Sequence, residues 1–294
     1  MKKILHSVSY AGLWRGQHML PMKDFITKAS KLGYDGVELM AKRPHASLLD
    51  FGEKERRETR ESLDTNGLEC ACIAGYTDFT LGSKNSMIPQ WELQVLYVSK
   101  LAELARDLDC KIVRVFTGNE VEGVPFADQW DLCVSGLKEC ARQAAKHGVT
   151  IGVQNHHDIA VDALSLLHMI QEIDKPNCKI MFDAWAPALQ GEDIVEAVKT
   201  ISKHLIYTTV ADYIRIPRYR YHPDLVNYSK GIDRTVAVPM GEGIIDYGAF
   251  FEVLSEIGYD GHVAYEMCLK LRDGGTEDVL DQYARKFLDY IKGL

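Results

Sequence analysis

Apolar residues in this chain gather in short runs, each preceded by an amphipathic stretch and a glycine-containing turn. Lys31-Leu32-Gly33-Tyr34-Asp35-Gly36 leads into Val37-Glu38-Leu39-Met40. Glu256-Ile257-Gly258-Tyr259-Asp260-Gly261 leads into His262-Val263-Ala264-Tyr265-Glu266, so the same tetrapeptide recurs near both ends. Asn66-Gly67 precedes Leu68 to Ile73 in the same way, and His147-Gly148 precedes Val149 to Val153. Glycine suits these places because helices commonly end on a left-handed residue, where a Cβ is strained. The runs predict eight strands, at 4–8, 36–40, 68–74, 111–116, 149–154, 178–183, 205–211 and 262–266. The clearest helices are predicted at 91–107, 126–146, 160–173, 248–257 and 276–292, where apolar residues recur at spacings of three and four. Short buried strands alternating with helices argue for an α/β protein with a parallel sheet. Eight such units in 294 residues favour a closed (β/α)8 TIM barrel. A doubly wound sheet is the alternative, and the absence of a G-x-G-x-x-G turn after the first strand counts against it.

No Pro-, Gly- or Ser-rich linker divides the chain, so residues 1–294 read as a single domain. The loop after strand seven is long. Residues 213–247 contain Tyr213, Arg215, Arg218, Tyr219, Arg220, Tyr221, His222 and Tyr228, a candidate lid. Guanidinium forks bind oxygens in pairs and aromatic faces pack on sugar rings, so Arg218 and Arg220 are candidate substrate contacts.

Composition narrows the partners. Hydrophobic residues at 46% and charged residues at 26% are those of a folded globular chain. A net charge of −8 opposes attraction to nucleic-acid phosphates and to anionic membranes, and no run approaches the length of a membrane span. Seven cysteines without a C-x-x-C suggest neither a disulfide framework nor a zinc ribbon, and read as reduced thiols in a cytoplasmic compartment. His6, Ser7, Ser9 and Arg15 interrupt the apolar stretch that a signal peptide needs.

Barrel enzymes place their chemistry at the carboxyl ends of the strands. Those ends read Glu38, then Tyr76 and Asp78, Arg114, Gln154-Asn155-His156-His157-Asp158, Asp183 and Trp185, Thr208, Thr209 and Asp212, and Glu266. Any one of them alone reads as a satisfied structural group. Ring closure brings them around one mouth, where carboxylates repel unless a cation lies between them.

With these residues in place, the sequence resembles the xylose isomerase-like TIM barrels, the broad sugar phosphate isomerase/epimerase group. The resemblance rests on Gly148-Val149-Thr150-Ile151-Gly152-Val153-Gln154-Asn155-His156, Met181-Phe182-Asp183, Val210-Ala211-Asp212, Pro239-Met240-Gly241-Glu242-Gly243-Ile244-Ile245-Asp246-Tyr247, and Gly258-Tyr259-Asp260-Gly261 with Glu266. It implies one divalent metal held by Glu, Asp, His and Glu at the ends of strands five to eight. Asp183 and Glu266 match the second and fourth positions, whereas Gln154 stands for the first Glu and Thr209 for the His. A glutamine oxygen still coordinates Mg²⁺ or Mn²⁺, but it adds no charge and cannot act as a base. The expected metal set is therefore Gln154, Asp183 and Glu266, with lowered affinity. His156, His157 and Asp212 stand nearby as replacement ligands.

The function this implies is proton transfer next to a carbonyl of a small sugar or keto-sugar, through a metal-stabilised enediolate. Glu266, His156 or His157 would be the base, with Arg114, Trp185, Tyr76 and Asp212 among the substrate contacts. Expulsion of a β-substituent would make the same intermediate a lyase or dehydratase step. A barrel that only binds sugar, and a phosphodiesterase acting on damaged DNA, are the competing classes. The missing histidines and the acidic charge oppose the latter. Barrels of this kind often associate, so a homo-oligomer is compatible with the sequence.

Overall fold

A computed structural model describes residues 1–84 and 87–294. Eight strands close into one parallel ring: β1 (Lys2–His6), β2 (Gly36–Met40), β3 (Glu69–Ala74), β4 (Ile112–Val115), β5 (Thr150–Gln154), β6 (Cys178–Asp183), β7 (Leu205–Val210) and β12 (His262–Tyr265). The ring runs in chain order and closes where Lys2 to Leu5 pair with His262 to Tyr265. Helices α1 (Met22–Leu32), α2 (Glu53–Asn66), α3 (Gln90–Asp107), α4 (Phe126–Ala145), α5 (Ala163–Ile173), α6 (Trp185–Gln190), α7 (Ile194–Ile201), α8 (Tyr247–Glu256) and α9 (Glu277–Lys292) separate the strands. The α/β barrel expected from the pattern is the fold observed.

The local chemistry matches the pattern that predicted it. Helices α1 and α2 end on Gly33 and Gly67 at φ values of 95° and 65°, left-handed positions that a Cβ disfavours. Side chains alternate across each strand, which splits the core in two. Ile4, Ala71, Cys72, Ile112, Met181, Tyr207 and Ala264 pack together as the filling of the ring. Their strand neighbours, such as Leu5, Ile73, Val113, Ile180 and Val263, pack outward with the helices. Among the described residues no helix is long and apolar enough to cross a membrane.

Two departures shape the mouth. The first strand stops at His6, and Ser7–Tyr10 form a 3-10 turn. The two serines that interrupted the apolar run act as ties: Ser7 Oγ accepts the Met40 N–H at 2.8 Å, and Ser9 Oγ accepts the Met267 N–H at 2.9 Å. The long segment after β7 is not an irregular loop. β8 (Asp212–Ile216) pairs antiparallel with β11 (Arg234–Val238), and β9 (Tyr219–His222) pairs with β10 (Asn227–Lys230), forming a β arm. Its base is buried at Tyr213 and Val236 to Met240, whereas its tip is exposed.

Candidate active site

A cavity of about 390 Å³ opens at the carboxyl ends of the barrel strands. Aromatic residues dominate its wall: Trp14, Tyr76, Phe116, Trp185 and Tyr213. Its polar lining includes His6, Lys42, Arg114, His156, His157 and Glu266. Glu266 is the one carboxylate among the described lining residues. Glu38, Gln154 and Asp183 are fully buried and withdrawn from the cavity surface.

Strand geometry explains this gathering. Gln154 and Asp183 are the last residues of β5 and β6, Thr209 pairs with Asp183 across to β7, and Glu266 directly follows β12. Asn155 fixes the β6 end: its Oδ1 accepts the Asp183 N–H at 2.5 Å, and its Nδ2 donates to the Asp183 carbonyl at 3.0 Å. Gln154 Nε2 donates to Thr209 Oγ1 at 2.7 Å, so the two positions that depart from the family's ligand set are bonded to each other. This commits the amide nitrogen and leaves Gln154 Oε1 buried without a donor, as are both carboxylate oxygens of Asp183.

Arg114 and His6 adjoin the acids of this rim. Arg114, nearly fully buried on β4, lies with Nη1 3.8 Å from Glu38 Oε1 and with its guanidinium carbon 4.5 Å from the centre of the Phe116 ring. His6 Nε2 lies 3.5 Å from Glu38 Oε1 and 3.6 Å from Glu266 Oε2. The Val8 N–H donates to His6 Nδ1 at 3.0 Å, so a neutral His6 carries its proton on Nε2, near both acids and 3.4 Å from Arg114 Nη1.

Burial sets the protonation states. It pushes Glu38 up to about 7, with Arg114 pulling down and Glu266 pushing up. Asp183 rises well above the usual carboxylate range through burial and the nearby Glu266 charge. Burial also raises Glu266, against the pull of Arg114. His6 falls well below its ordinary value through burial and the Arg114 charge. His156 is pushed down to about 3 by burial, His157 and Arg114, and burial lowers His157 as well.

Of the expected site residues, Glu266, His156, His157, Arg114, Trp185 and Tyr76 share the cavity, while Gln154 and Asp183 lie together behind it. Asp212 does not join them. Its Oδ2 accepts the Gly241 and Gly243 N–H groups at 3.0 and 2.9 Å, and its Oδ1 accepts that of Tyr213 at 2.9 Å, so it pins the base of the arm. Arg218 and Arg220 stand exposed on the arm and do not line the cavity; the arm contributes Tyr213 and Thr235 instead. Sequence reasoning missed His6, Lys42 and Trp14 as lining residues. The strand-end rule applied to β1 would have found His6, whereas Lys42 and Trp14 sit in loops with no periodic mark.

A divalent metal can be tested against this donor set. Among the described residues, no three His, Cys, Asp or Glu side chains gather as a metal cluster. The unpartnered Gln154 Oε1, both unpartnered oxygens of Asp183, and Glu266 offer oxygen donors, with His6 Nε2 3.6 Å from Glu266 Oε2. Two carboxylates and an amide fit a hard cation such as Mg²⁺ or Mn²⁺, which accepts few protein ligands and keeps water or substrate for the rest.

The fold and this mouth define a sugar-isomerase type of barrel, and comparison with known proteins agrees. The model of the xylose isomerase-like TIM barrel family matches residues 26–287, and the chain belongs to that family. Fructoselysine 3-epimerase of Escherichia coli O157:H7 is 22% identical over 260 residues, covering 86% of this chain and 87% of the relative. Inosose dehydratase of Lacticaseibacillus casei is 22% identical over 254 residues, covering 82% and 80%. Among solved structures, D-psicose 3-epimerase from Clostridium cellulolyticum H10 superposes with a TM-score of 0.74 at 18% identity, over 99% of this chain and 98% of that one. The structural likeness carries the fold. The named relatives are epimerases and dehydratases, and the chain stands with them as an enzyme.

Proposed function

We propose that the protein is an isomerase or epimerase that moves a proton at the carbon next to a carbonyl of a small sugar or keto-sugar. One observation carries this reading: a buried carboxylate, Glu266, faces the same aromatic-walled cavity as Arg114. Burial raises the affinity of Glu266 for a proton, which makes it a better base towards a weakly acidic C–H. His6 Nε2 stands beside that carboxylate, 3.6 Å from Glu266 Oε2 and beyond hydrogen-bond distance. His156 and His157 are held neutral by burial, and they serve as hydrogen-bonding partners and proton carriers for substrate oxygens. The N–H of His157 occupies His156 Nδ1 at 2.9 Å, so His156 offers a donor through Nε2. Trp185 and Tyr76 provide faces for the sugar ring, and Arg114 binds its oxygens.

Gln154 Oε1, Asp183 and Glu266 would hold a divalent cation, Mg²⁺ or Mn²⁺. Bound there, it would polarise the carbonyl and offset the charge of the enediolate. Arg218 and Arg220 come to the substrate only if the arm folds inward. Seven unpaired cysteines, six of them buried, support a reducing, cytoplasmic setting.

A second reading has its own support. Two-base epimerisation needs acid–base groups on both faces of the carbon, and Glu266 is the one carboxylate among the described lining residues. One base suits a lyase or dehydratase that expels a β-oxygen from the same intermediate. Incubation with keto-sugars, keto-glycosides and inososes in D₂O separates the readings. Deuterium at the carbon beside the carbonyl supports proton transfer, and loss of water or an aglycone supports elimination. Binding without either outcome would leave a sugar-binding barrel and refute the proposal.

A further inference from the structure

The mouth has unmet donors as well as unmet acceptors. Arg114 Nε is buried and has no acceptor. Lys42, two residues beyond β2, is half-buried and lines the cavity, with Nζ 3.7 Å from the centre of the Tyr76 ring. The Arg114 guanidinium carbon lies 4.9 Å from the same ring centre, so the two cations share one aromatic neighbour. Among the described residues, no carboxylate comes within 4 Å of Lys42 Nζ, whereas the comparable Lys28 holds both Glu277 and Asp281 at 2.7 Å. Glu38, the acid nearest Arg114, is at 3.8 Å and is pushed up to about 7, which leaves Glu266 as the one lining carboxylate set against two cations. Burial and the Arg114 charge lower the Lys42 ammonium, against the opposing pull of Glu266.

Two cations beside one ring, with Glu266 as the one carboxylate among the described lining residues, carry a desolvation cost that an arriving anion would offset. A neutral sugar hydroxyl would satisfy the Arg114 donor but not the charge. We propose that Lys42 and Arg114 form a clamp for a permanent oxyanion on the substrate, a carboxylate or a phosphate, so that the enzyme's substrate class is the acidic keto-sugars. This rests on the reading of the mouth as a sugar site and adds the charge of its ligand. The polarity of the cavity follows: the anionic end lies against β2 and β4, while the reacting carbon lies towards Glu266.

Three probes share one carbon skeleton and differ only at C6: D-tagatose, D-tagaturonate and D-tagatose 6-phosphate. Calorimetric titration of wild type should show at least one of the two anions binding about tenfold or more tightly than tagatose. The anion that gains identifies the group recognised. Lys42→Met should erase the advantage and Lys42→Arg should restore most of it. Equal binding of the three sugars, binding by none of them, or an advantage unchanged in Lys42→Met would overturn the clamp. Failure of every sugar to exchange deuterium, with the anion preference intact, would instead remove the proposed reaction and leave the clamp standing.

Discussion

The side-chain amide of Gln154 donates a 2.7 Å hydrogen bond to the hydroxyl of Thr209, across the strand that ends in Asp183. A charged ligand and an imidazole are thereby replaced by a neutral pair that satisfies part of itself. What stays open is one amide oxygen and two carboxylates, a set whose cation affinity is set by its low charge.

Restoring that charge should restore affinity. Gln154→Glu combined with Thr209→His is expected to tighten Mn²⁺ binding by about tenfold or more, because affinity follows the number of charged ligands. Titration of free Mn²⁺ by electron paramagnetic resonance reads this directly. Unchanged affinity would place the cation away from these strands.

Asn155 holds the end of β6 through bonds in both directions with the Asp183 backbone. Asn155→Ala leaves these buried groups unpaired and is expected to cost about 1–3 kcal/mol for each. Denaturant unfolding measures it. A neutral outcome would mean that Asp183 is positioned by the strand alone.

The pH dependence of stability isolates Glu38. Burial raises its folded value to about 7, above the unfolded value of about 4.3. The folded state therefore binds the proton more tightly. Its contribution is fully present below about 4.3 and is lost as pH rises through about 7, at roughly 1.4 kcal/mol per unit of difference. Glu38→Gln is neutral throughout, so its melting temperature should gain on wild type between pH 5 and pH 8. Parallel curves would contradict the burial of an ionisable Glu38.

Asp212 tests the role of the arm. Asp212→Ala frees the N–H groups of Gly241, Gly243 and Tyr213, and is expected to destabilise by about 1–3 kcal/mol and to speed amide exchange across 239–247. A substrate-binding role would instead appear as weakened ligand binding with exchange unchanged.

The barrel was legible because its signals are local and repeated. The Gly-Tyr-Asp-Gly turns and eight apolar runs each report a helix end or a buried strand, and ring closure follows from their number. The strand-end rule also located Glu266, Arg114, His156 and Trp185 at the cavity, because parallel strands deliver their carboxyl ends to one rim. It could not distinguish Asp212, at a similar position, whose backbone partners lie 29 and 31 residues away. The arginines and tyrosines of 213–247 mark a candidate lid in the sequence but carry no sign of the β9–β10 pairing that forms its tip. Lys42 escaped notice because a lone loop lysine acquires meaning only when Tyr76 and Arg114 are brought beside it.

The central claim is that Glu266 takes a proton from the carbon next to a carbonyl. Its most direct test is the rate of solvent deuterium incorporation into a bound keto-sugar, followed by NMR in wild type and in Glu266→Gln. Incorporation in wild type, with a fall of about a hundredfold or more in the folded variant, is the expected result. Equal rates in the two proteins would contradict it.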